Sequence, residues 1–266
     1  MIEIRRHAGV TEWRFTSLGS RLAGYGASAF LTDDGVLIDT GIPAAGAELE
    51  TLLDRTSLRG VMITHHHEDH AGNVERVARR GLPVWIAETT RPLLATVARI
   101  GAYRRLTWHS MPRLRSPVVP YDTGDLTVLP TPGHCADHHA VWHAASRTLF
   151  SGDLFLGVAV RIAHHAEDPW AMIDSLERVA ALNPTRMFCA HRGLVTEPAG
   201  ALLAKAEWIR RMIDTLQQRI DAGDSDHTIL RTVLGGESVA GWASGGEYSR
   251  RNLVRRVRER RPARPA

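Results

Sequence analysis

The sequence predicts an α/β sandwich in which helices cover the outer faces of two β-sheets. Strand signals come first in hairpins near the N-terminus, alternate with helical segments from residue 44 to about residue 100, and return in hairpins from residue 126. Two runs of hairpins around an alternating segment are typical of two sheets with helices packed outside them. The chain beyond residue 196 is predicted to be helical. We therefore expect a core over 1–196 and a helical C-terminal extension over 197–266.

The first half of the chain opens with strands and then alternates. Residues 25–41 (YGASAFLTDDGVLIDTG) contain two apolar runs around an Asp-Asp-Gly turn, which is a hairpin signal. Apolar positions in 69–80 have helical spacing, and Gly81 and Pro83 end that helix. We predict strands at 2–6, 11–18, twice within 25–41 and at 59–65, and helices at 44–55 and 69–80.

The second half returns to hairpins and ends in helices. Asp168 followed by Pro169 is a helix-start signal, because aspartate caps free backbone amides and proline suits the first helical position. Residues 101–123 contain several prolines, and we predict that they are irregular. We predict strands at 83–88, 126–134, 138–144, 147–153 and 186–191, and helices at 90–100, 169–182, 198–222, 226–234 and from Ser249 onward, with the glycine-rich segment Gly235–Gly246 between the last two.

Composition is that of an ordinary globular protein. Of 266 residues, 44% are hydrophobic and 23% are charged. The N-terminus has no apolar run typical of a secretory signal, and no apolar stretch is long enough for a transmembrane helix. The cysteines Cys135 and Cys189 cannot form a disulfide framework. We therefore expect a cytoplasmic protein without a membrane association.

A histidine-rich stretch at residues 64–73 (THHHEDHAGN) is the strongest chemical signal in the chain. It contains the pattern H-x-H-x-D-H, formed by His65, His67, Asp69 and His70. Buried imidazole and carboxylate groups need polar or charged partners, and a metal ion satisfies both. The stretch follows a predicted strand, so its side chains are expected at the carboxyl end of that strand, where α/β folds usually place their sites.

Three further residues repeat this placement downstream. His134 follows a strand and a Pro-Gly turn, Asp153 ends the strand in LFSGD, and His191 ends the strand in MFCAH. Taken singly, each would be an ordinary turn residue. Together with the histidine-rich stretch, they complete a set of imidazole and carboxylate ligands.

These motifs resemble those of the metallo-β-lactamase superfamily. The similarity rests on LIDTG with Asp39, HHHEDH at 65–70, PGH with His134, SGD with Asp153 and AH with His191, and it covers roughly residues 12–195. The resemblance implies a four-layer αβ/βα sandwich with a dinuclear metal site between the two sheets.

The resemblance also implies a role for each motif residue. The first metal ion would be held by His65, His67 and His134. The second would be held by Asp69, His70 and His191. Asp153 would bridge both ions, and Asp39 would orient a ligand without binding metal.

Mixed imidazole and carboxylate ligands suit zinc, with iron or manganese as alternatives. Two ions about 3.5–4 Å apart can share a hydroxide and lower its pKa toward about 7. We therefore expect two Zn²⁺ ions and a bridging hydroxide as the nucleophile, with Asp69 and Asp153 as the catalytic carboxylates. No serine or cysteine nucleophile is needed.

Other histidines and both cysteines lie near the proposed ligands in sequence. His138 follows His134 by four residues and is a candidate for a supporting or substrate-facing position. His164 and His165 lie in a loop after Asp153, where relatives often place substrate-facing residues, and we name His165 as a candidate. Cysteine ligation is disfavoured, because Asp153 already fills the bridging position.

The pattern most resembles the branch that contains glyoxalase II, the lactamase-β-2-like endoribonucleases and the acyl-homoserine lactonases. Exported β-lactamases usually have Cys or Ser near the position of Asp153. The resemblance therefore implies a hydroxyacylglutathione hydrolase-like enzyme acting on a small thioester, ester or lactone. An endoribonuclease or phosphodiesterase is the main alternative, and a non-catalytic protein that binds metal or RNA is a minor one.

The C-terminal run RRNLVRRVRERRPAR bears on the RNA alternative. Its arginines could bind phosphates, but Leu253, Val254 and Val257 have helical spacing, which favours a solvated helix face and a frayed tail. We therefore expect a small-molecule substrate, with RNA as a less favoured partner. The sequence leaves the oligomeric state open, with a homodimer as one alternative.

Overall fold

A computed structural model of the chain describes residues 1–96 and 100–260. The strands are β1 (Ile2–His7), β2 (Val10–Phe15), β3 (Ala27–Thr32), β4 (Val36–Ile38), β5 (Gly60–Met62), β6 (Pro83–Trp85), β7 (Val119–Pro120), β8 (Leu126–Pro130), β9 (His139–His143), β10 (Thr148–Phe150), β11 (Ala163–His164), β12 (Arg186–Cys189), β13 (Gly193–Val195) and β14 (Tyr248–Ser249). The α-helices are α1 (Leu18–Leu22), α2 (Gly46–Leu53), α3 (Val74–Arg79), α4 (Arg91–Thr96), α5 (Ala102–Thr107), α6 (Pro169–Ala180), α7 (Pro198–Asp221), α8 (Asp226–Thr232), α9 (Val239–Ala243) and α10 (Arg250–Glu259), and a 3₁₀ turn covers Pro43–Ala45.

Two mixed sheets form the centre of the fold. The first has the order β1-β2-β3-β4-β5-β6-β7, antiparallel from β1 to β4 and parallel from β4 to β7. The second has the order β13-β12-β10-β9-β8, and its one parallel pair is β10 with β12. Strands β11 and β14 form a separate antiparallel pair. The carboxyl ends of β5, β10 and β12 each lead into a loop that carries proposed ligands.

Alternating side chains build one core between the sheets and one outside each sheet. Leu149 of β10 packs in the cluster with α6 and α7, whereas its neighbour Phe150 packs between the sheets against Phe30 and Phe188. Successive strand residues face opposite sides, so each sheet is covered on one side by helices and on the other by its partner sheet. The predicted four-layer αβ/βα arrangement is confirmed.

Several predicted boundaries differ from the structure. The strand predicted at 11–18 ends at Phe15, because the Ser17 side chain accepts a hydrogen bond from Ser20 N and caps α1. The predicted helix at 69–80 begins only at Val74, since the ligand-bearing residues before it form tight turns. The predicted helix at 90–100 is observed as Arg91–Thr96, and residues 97–99 lie outside the described residues.

The prediction of an irregular segment at 101–123 is wrong at two places. It contains the helix α5 and the short strand β7, which pairs with β6. Arg104 of α5 is buried and binds carboxylates from two other parts of the chain. A six-residue helix is marginal by itself, so tertiary contacts and not local periodicity stabilise it. The helix α9 lies within the segment predicted to be a glycine-rich spacer. With five residues it is also too short to be stable without tertiary contacts.

The C-terminal extension has a core of its own. Leu216 and Ile220 of α7 pack with residues of α8 and with Val254 and Val257 of α10. This packing confirms the helix predicted from Ser249 onward and its apolar stripe, whereas Arg261 and Arg264 lie outside the described residues. Within 1–96 and 100–260, we find no helix with the length and hydropathy needed to cross a membrane.

Candidate metal centre

The histidine-rich loop begins where β5 ends and is folded by its own backbone. Thr64 N donates to Asp39 Oδ1 at 2.8 Å, which anchors the start of the loop. The carbonyl of His67 then accepts from the amides of His70 (3.0 Å) and Ala71 (2.8 Å), so the chain turns back on itself. The turn brings the side chains of His65, His67, Asp69 and His70 to one end of the first sheet.

One group of buried ligand atoms corresponds to the proposed first metal ion. It consists of His65, His67, His134 and Asp153, whose ligand atoms all lie within 4.8 Å of one another. His134 Nε2 lies 3.0 Å from His67 Nδ1 and 3.4 Å from Asp153 Oδ2. The loop between β8 and β9 supplies His134, and the turn after β10 supplies Asp153.

A second group corresponds to the proposed second metal ion. It consists of Asp69, His70, Asp153 and His191, again within 4.8 Å of one another. Asp153 Oδ1 lies 3.2 Å from His70 Nε2 and 3.3 Å from His191 Nε2. The structure thus brings together all seven residues that the motifs nominate as ligands, and Asp153 belongs to both groups.

Unsatisfied polar atoms test whether these residues fit a metal. His65 Nε2, His70 Nε2 and Asp153 Oδ1 are buried and lie close to other candidate ligand atoms, but none of them makes a hydrogen bond of normal geometry among the described residues. Buried polar atoms are rarely left unpaired unless a ligand, water or ion completes them. Five imidazoles and two carboxylates in the two groups form a donor set that suits zinc. The residues therefore fit a pair of metal ions.

The charge distribution differs between the two groups. Burial lowers the pKa of His65 and His67 well below the usual value, and the neighbouring imidazoles add to that effect. Burial also lowers the pKa of His70, but the carboxylates of Asp153 and Asp39 outweigh it and raise that pKa well above the usual value. Neutral imidazoles are the metal-binding form, and the carboxylates of the second group attract positive charge.

Three groups behind the ligands fix their orientation. Asp39 Oδ2 lies 2.7 Å from His70 Nδ1, and Gly26 O lies 2.8 Å from His191 Nδ1. His138 Nε2 accepts a hydrogen bond from Asp153 N at 3.0 Å. Burial lowers the pKa of His138 to about 3, so its ring stays neutral and can accept this bond. Asp39 and His138 thus lie directly behind the ligands.

His165, the other supporting residue that we predicted, has an exposed side chain. Its neighbour His164 is buried instead, with Nε2 3.5 Å from Glu247 Oε1 and its ring 6.0 Å from that of His67. The register of β11 decides which of the two histidines faces inward, and this two-residue strand pairs only with the distant β14. Local sequence carries no signal for that pairing.

The cysteines do not belong to the two ligand groups. Cys135 forms a third possible ligand group with His66 and His67, and burial and the neighbouring Asp137 raise the pKa of its thiol. Cys189 Sγ donates to Phe155 O at 2.6 Å. Both thiols are free.

Two polar networks around the site were missed in the sequence. Asp137 accepts from His66 N at 3.0 Å and lies 2.8 Å from His66 Nδ1. Glu68 binds the guanidinium of Arg104, which also contacts Glu247 Oε1 at 3.0 Å. The signal that could have found the second network is Glu68 itself, because a carboxylate inside a buried ligand loop needs a cationic partner.

A cleft with a volume of about 580 Å³ is lined by five residues of the two groups: His67, Asp69, His134, Asp153 and His191. Aromatic side chains form one part of its lining: Tyr25, Tyr103, Trp108 and Tyr248. Leu156, Val160 and Ile162 form an apolar part, and Arg14 and Arg192 add positive charge. Tyr248 comes from the C-terminal extension, so the extension contributes directly to the cleft. A cleft of this size suits a small molecule.

Comparisons with known sequences agree with the motifs. Residues 24–191 match the family model of the metallo-beta-lactamase superfamily. A hydroxyacylglutathione hydrolase from Shewanella baltica is 34% identical over 149 residues, which are 52% of this chain and 49% of that protein. A beta-lactamase-like protein 2 homolog from Drosophila melanogaster is 28% identical over 195 residues, which are 66% of this chain and 62% of that protein. The chain spans about half the length of the curated relatives it matches, or slightly more.

Solved structures show the same fold. A metallo-beta-lactamase family protein from Thermus thermophilus aligns with a TM-score of 0.66 at 17% identity, over 95% of this chain and 94% of that one. A metallo-beta-lactamase from Pontibacter korlensis aligns with a TM-score of 0.61 at 20% identity, over 79% of this chain and 99% of that one. Because the family model accounts for more than half of the sequence and the fold agrees, the chain belongs to the metallo-beta-lactamase superfamily.

Proposed function

We propose that the chain is a metal-dependent hydrolase that uses two metal ions, preferentially zinc, to cleave a small thioester, ester or lactone. The position of Asp153 carries the proposal. Its Oδ2 lies toward His134 of the first ligand group, and its Oδ1 lies toward His70 and His191 of the second. A carboxylate with one oxygen toward each group is suited to bridge two ions.

The reaction adds the hydroxyl of water to the carbonyl carbon, breaks the carbon–sulfur or carbon–oxygen bond, and gives an acid and a thiol or alcohol. When bound, a pair of ions would activate the water and polarise the carbonyl. The protein holds the ligands through Asp39 and His138 and supplies two carboxylates, Asp69 and Asp153. Asp69 Oδ2 lies 3.3 Å from His191 Nε2 within the second ligand group.

Tyr248 is the side chain of the cleft best suited to bind a substrate oxygen. Burial raises the pKa of its phenol well above the usual value, although the positive charge of Arg104 opposes that shift. The hydroxyl therefore remains protonated and can donate a hydrogen bond. Tyr248 lines the cleft together with Asp69 and His191.

Similarity to the hydroxyacylglutathione hydrolases of Shewanella baltica and Rhodobacter capsulatus, at 34% and 32% identity, supports a thioester as the first substrate to test. Phosphodiester cleavage of RNA is the competing proposal, for which the arginines of α10 would be the phosphate contacts. However, Arg256 Nε donates to Glu167 O at 2.8 Å, and Arg258 lies 2.6 Å from Asp226. Arginines held by protein groups are less available to phosphates, which favours the small-molecule proposal.

A substrate panel on zinc-, iron- and manganese-loaded protein tests the proposal. We expect thioester or lactone hydrolysis at least about tenfold faster than cleavage of RNA or of bis(p-nitrophenyl) phosphate, and we expect Asp153→Ala to abolish it. Metal-dependent RNA cleavage without thioester or lactone turnover would reverse the ranking. A cytoplasmic location is part of the same proposal, since both cysteines are free thiols, as is usual in a reducing compartment.

A further inference from the structure

A narrow, mostly apolar pocket adjoins the proposed metal centre. It has a volume of about 40 Å³ and lies between α6, α7 and α10. His134 and Asp153 of the centre form part of its wall, and Leu156, Val160 and Ile162 line both this pocket and the large cleft. The pocket therefore shares a wall with the cleft in which the scissile carbonyl would lie.

The polar groups of the wall that lie outside the proposed metal centre are already engaged. Lys205 is buried and its Nζ donates to Leu154 O at 2.9 Å. Arg256 Nε donates to the carbonyl of Glu167, and Glu167 Oε1 lies 3.3 Å from His134 Nδ1. With these groups occupied, the free surface comes from apolar side chains, among them Met172, Met212 and Leu253. Water would find few partners there, whereas a hydrocarbon chain would be well accommodated.

The volume limits the size of the occupant. A sphere the size of a water molecule occupies about 10–15 Å³. A pocket of about 40 Å³ therefore holds about three or four chain atoms. Each methylene removed from water strengthens binding about fourfold. Methionine side chains are flexible and adapt to such a chain.

We propose that this pocket, here called the acyl pocket, binds the apolar acyl chain of the substrate and selects thioesters or esters with about three or four carbons beyond the carbonyl. The leaving group then lies in the cleft lined by Tyr25, Tyr103, Trp108 and Tyr248. This inference rests on the proposed hydrolase function and adds the class of the acyl group to it.

Reciprocal changes at Met212 test the acyl pocket, because this residue is only half-buried on α7 and tolerates substitution better than a core residue. The substrates are N-acetylcysteamine thioesters from acetyl to octanoyl. For the zinc-loaded wild type, kcat/KM should rise about fourfold per methylene to about pentanoyl and then level or fall. Met212→Phe should move the optimum at least one carbon shorter, and Met212→Ala at least one carbon longer. Arg211→Ala, exposed on the same helix, should leave the profile unchanged.

Binding of butanoate and hexanoate by calorimetry gives a second measurement that does not depend on turnover. We expect both acids to bind the zinc-loaded wild type. Met212→Phe should weaken the binding of hexanoate at least tenfold. If the wild type cleaves thioesters but the Met212 variants change kcat/KM equally for all chain lengths, the proposal of an acyl pocket is wrong and the hydrolase proposal stands. If no thioester, ester or lactone is cleaved while alkanoates bind and respond to Met212→Phe, the hydrolase proposal fails and the pocket stands as a binding site. Zinc content and melting temperature confirm that each variant is folded and loaded.

Discussion

Asp39 Oδ2 lies 2.7 Å from His70 Nδ1, while the other ring nitrogen of His70 faces Asp153 at 3.2 Å. Asp39 adopts a left-handed backbone conformation (φ 65°), which aspartate and asparagine tolerate better than most residues. Its other oxygen accepts from the amide of Thr64. A single carboxylate therefore fixes both the start of the histidine-rich loop and the orientation of one candidate ligand in it.

Asp39→Asn should weaken binding of the second metal ion by about tenfold or more. Asparagine suits the same backbone conformation, but it offers one acceptor oxygen where Asp39 uses two, so either Thr64 or His70 loses its partner. Titration with a zinc indicator measures the change. Asp34→Asn, at an exposed turn carboxylate, is the control and should bind zinc like the wild type. Equal affinities in both variants would mean that His70 needs no support from Asp39.

Asp137→Asn should reduce stability in a pH-dependent way. Burial opposes ionisation of Asp137, but its contacts with His66, Cys135 and Thr90 together outweigh this and lower its pKa to about 2. A carboxylate with a folded pKa below the unfolded value stabilises the folded state above the unfolded pKa, and that stabilisation is lost as the pH falls through the folded pKa. The contribution of Asp137 is therefore about 2 kcal/mol at pH 7 and disappears between about pH 4 and pH 2.

Urea unfolding of the metal-free protein at pH 7, 5 and 3.5 measures this difference. The difference in unfolding free energy between wild type and Asp137→Asn should be present at the two higher pH values and smaller at pH 3.5. Asp125→Asn, at an exposed position, is the control and should stay within about 0.5 kcal/mol of the wild type throughout. A gap that does not narrow at low pH would rule out ionisation of Asp137 as its cause.

Arg104→Met should destabilise the fold by about 3–5 kcal/mol. The substitution leaves the buried Glu68 carboxylate without its cationic partner and removes the ion pair of Glu247 with Arg104. The neighbouring Arg105 is exposed on the same helix, so Arg105→Met should cost no more than about 0.5 kcal/mol. Urea denaturation of both variants measures the effect. Similar losses in the two variants would contradict the assignment of Arg104 as the link between the histidine-rich loop and the C-terminal extension.

Elements with strong local patterns were predictable, and those held by distant contacts were not. The helix α6 begins at Pro169 after the predicted Asp168 cap, whose side chain accepts from the amides of Trp170 and Ala171. In contrast, α5 is stabilised through Glu68 and Glu247, which lie 36 and 143 residues away from Arg104 in the chain. Propensity and periodicity describe neighbours in sequence and contain no information on such contacts.

The candidate ligands were predictable because each follows a strand and carries an imidazole or carboxylate in a dense pattern. The residues that surround these candidate ligands were harder to predict. His66 lies between two candidate ligands, and the structure gives it a partner, Asp137, from a loop 71 residues later. Likewise, the aromatic wall of the cleft depends on Tyr248, which the pairing of β14 with β11 brings to the site.

Removing metal should lower the melting temperature by about 10 °C. Zinc at about 1,000 times its dissociation constant adds about 4 kcal/mol of stability, and each 1 kcal/mol shifts the melting temperature of a protein of this size by about 2–4 °C. Metal analysis should give about two ions per chain for the wild type. Asp153→Ala, which removes the carboxylate shared by the two groups, should bind fewer ions and respond little to a chelator. A wild type that takes up no metal after reconstitution with zinc, iron or manganese would refute the metal centre, because its buried imidazoles and carboxylates would then need another partner.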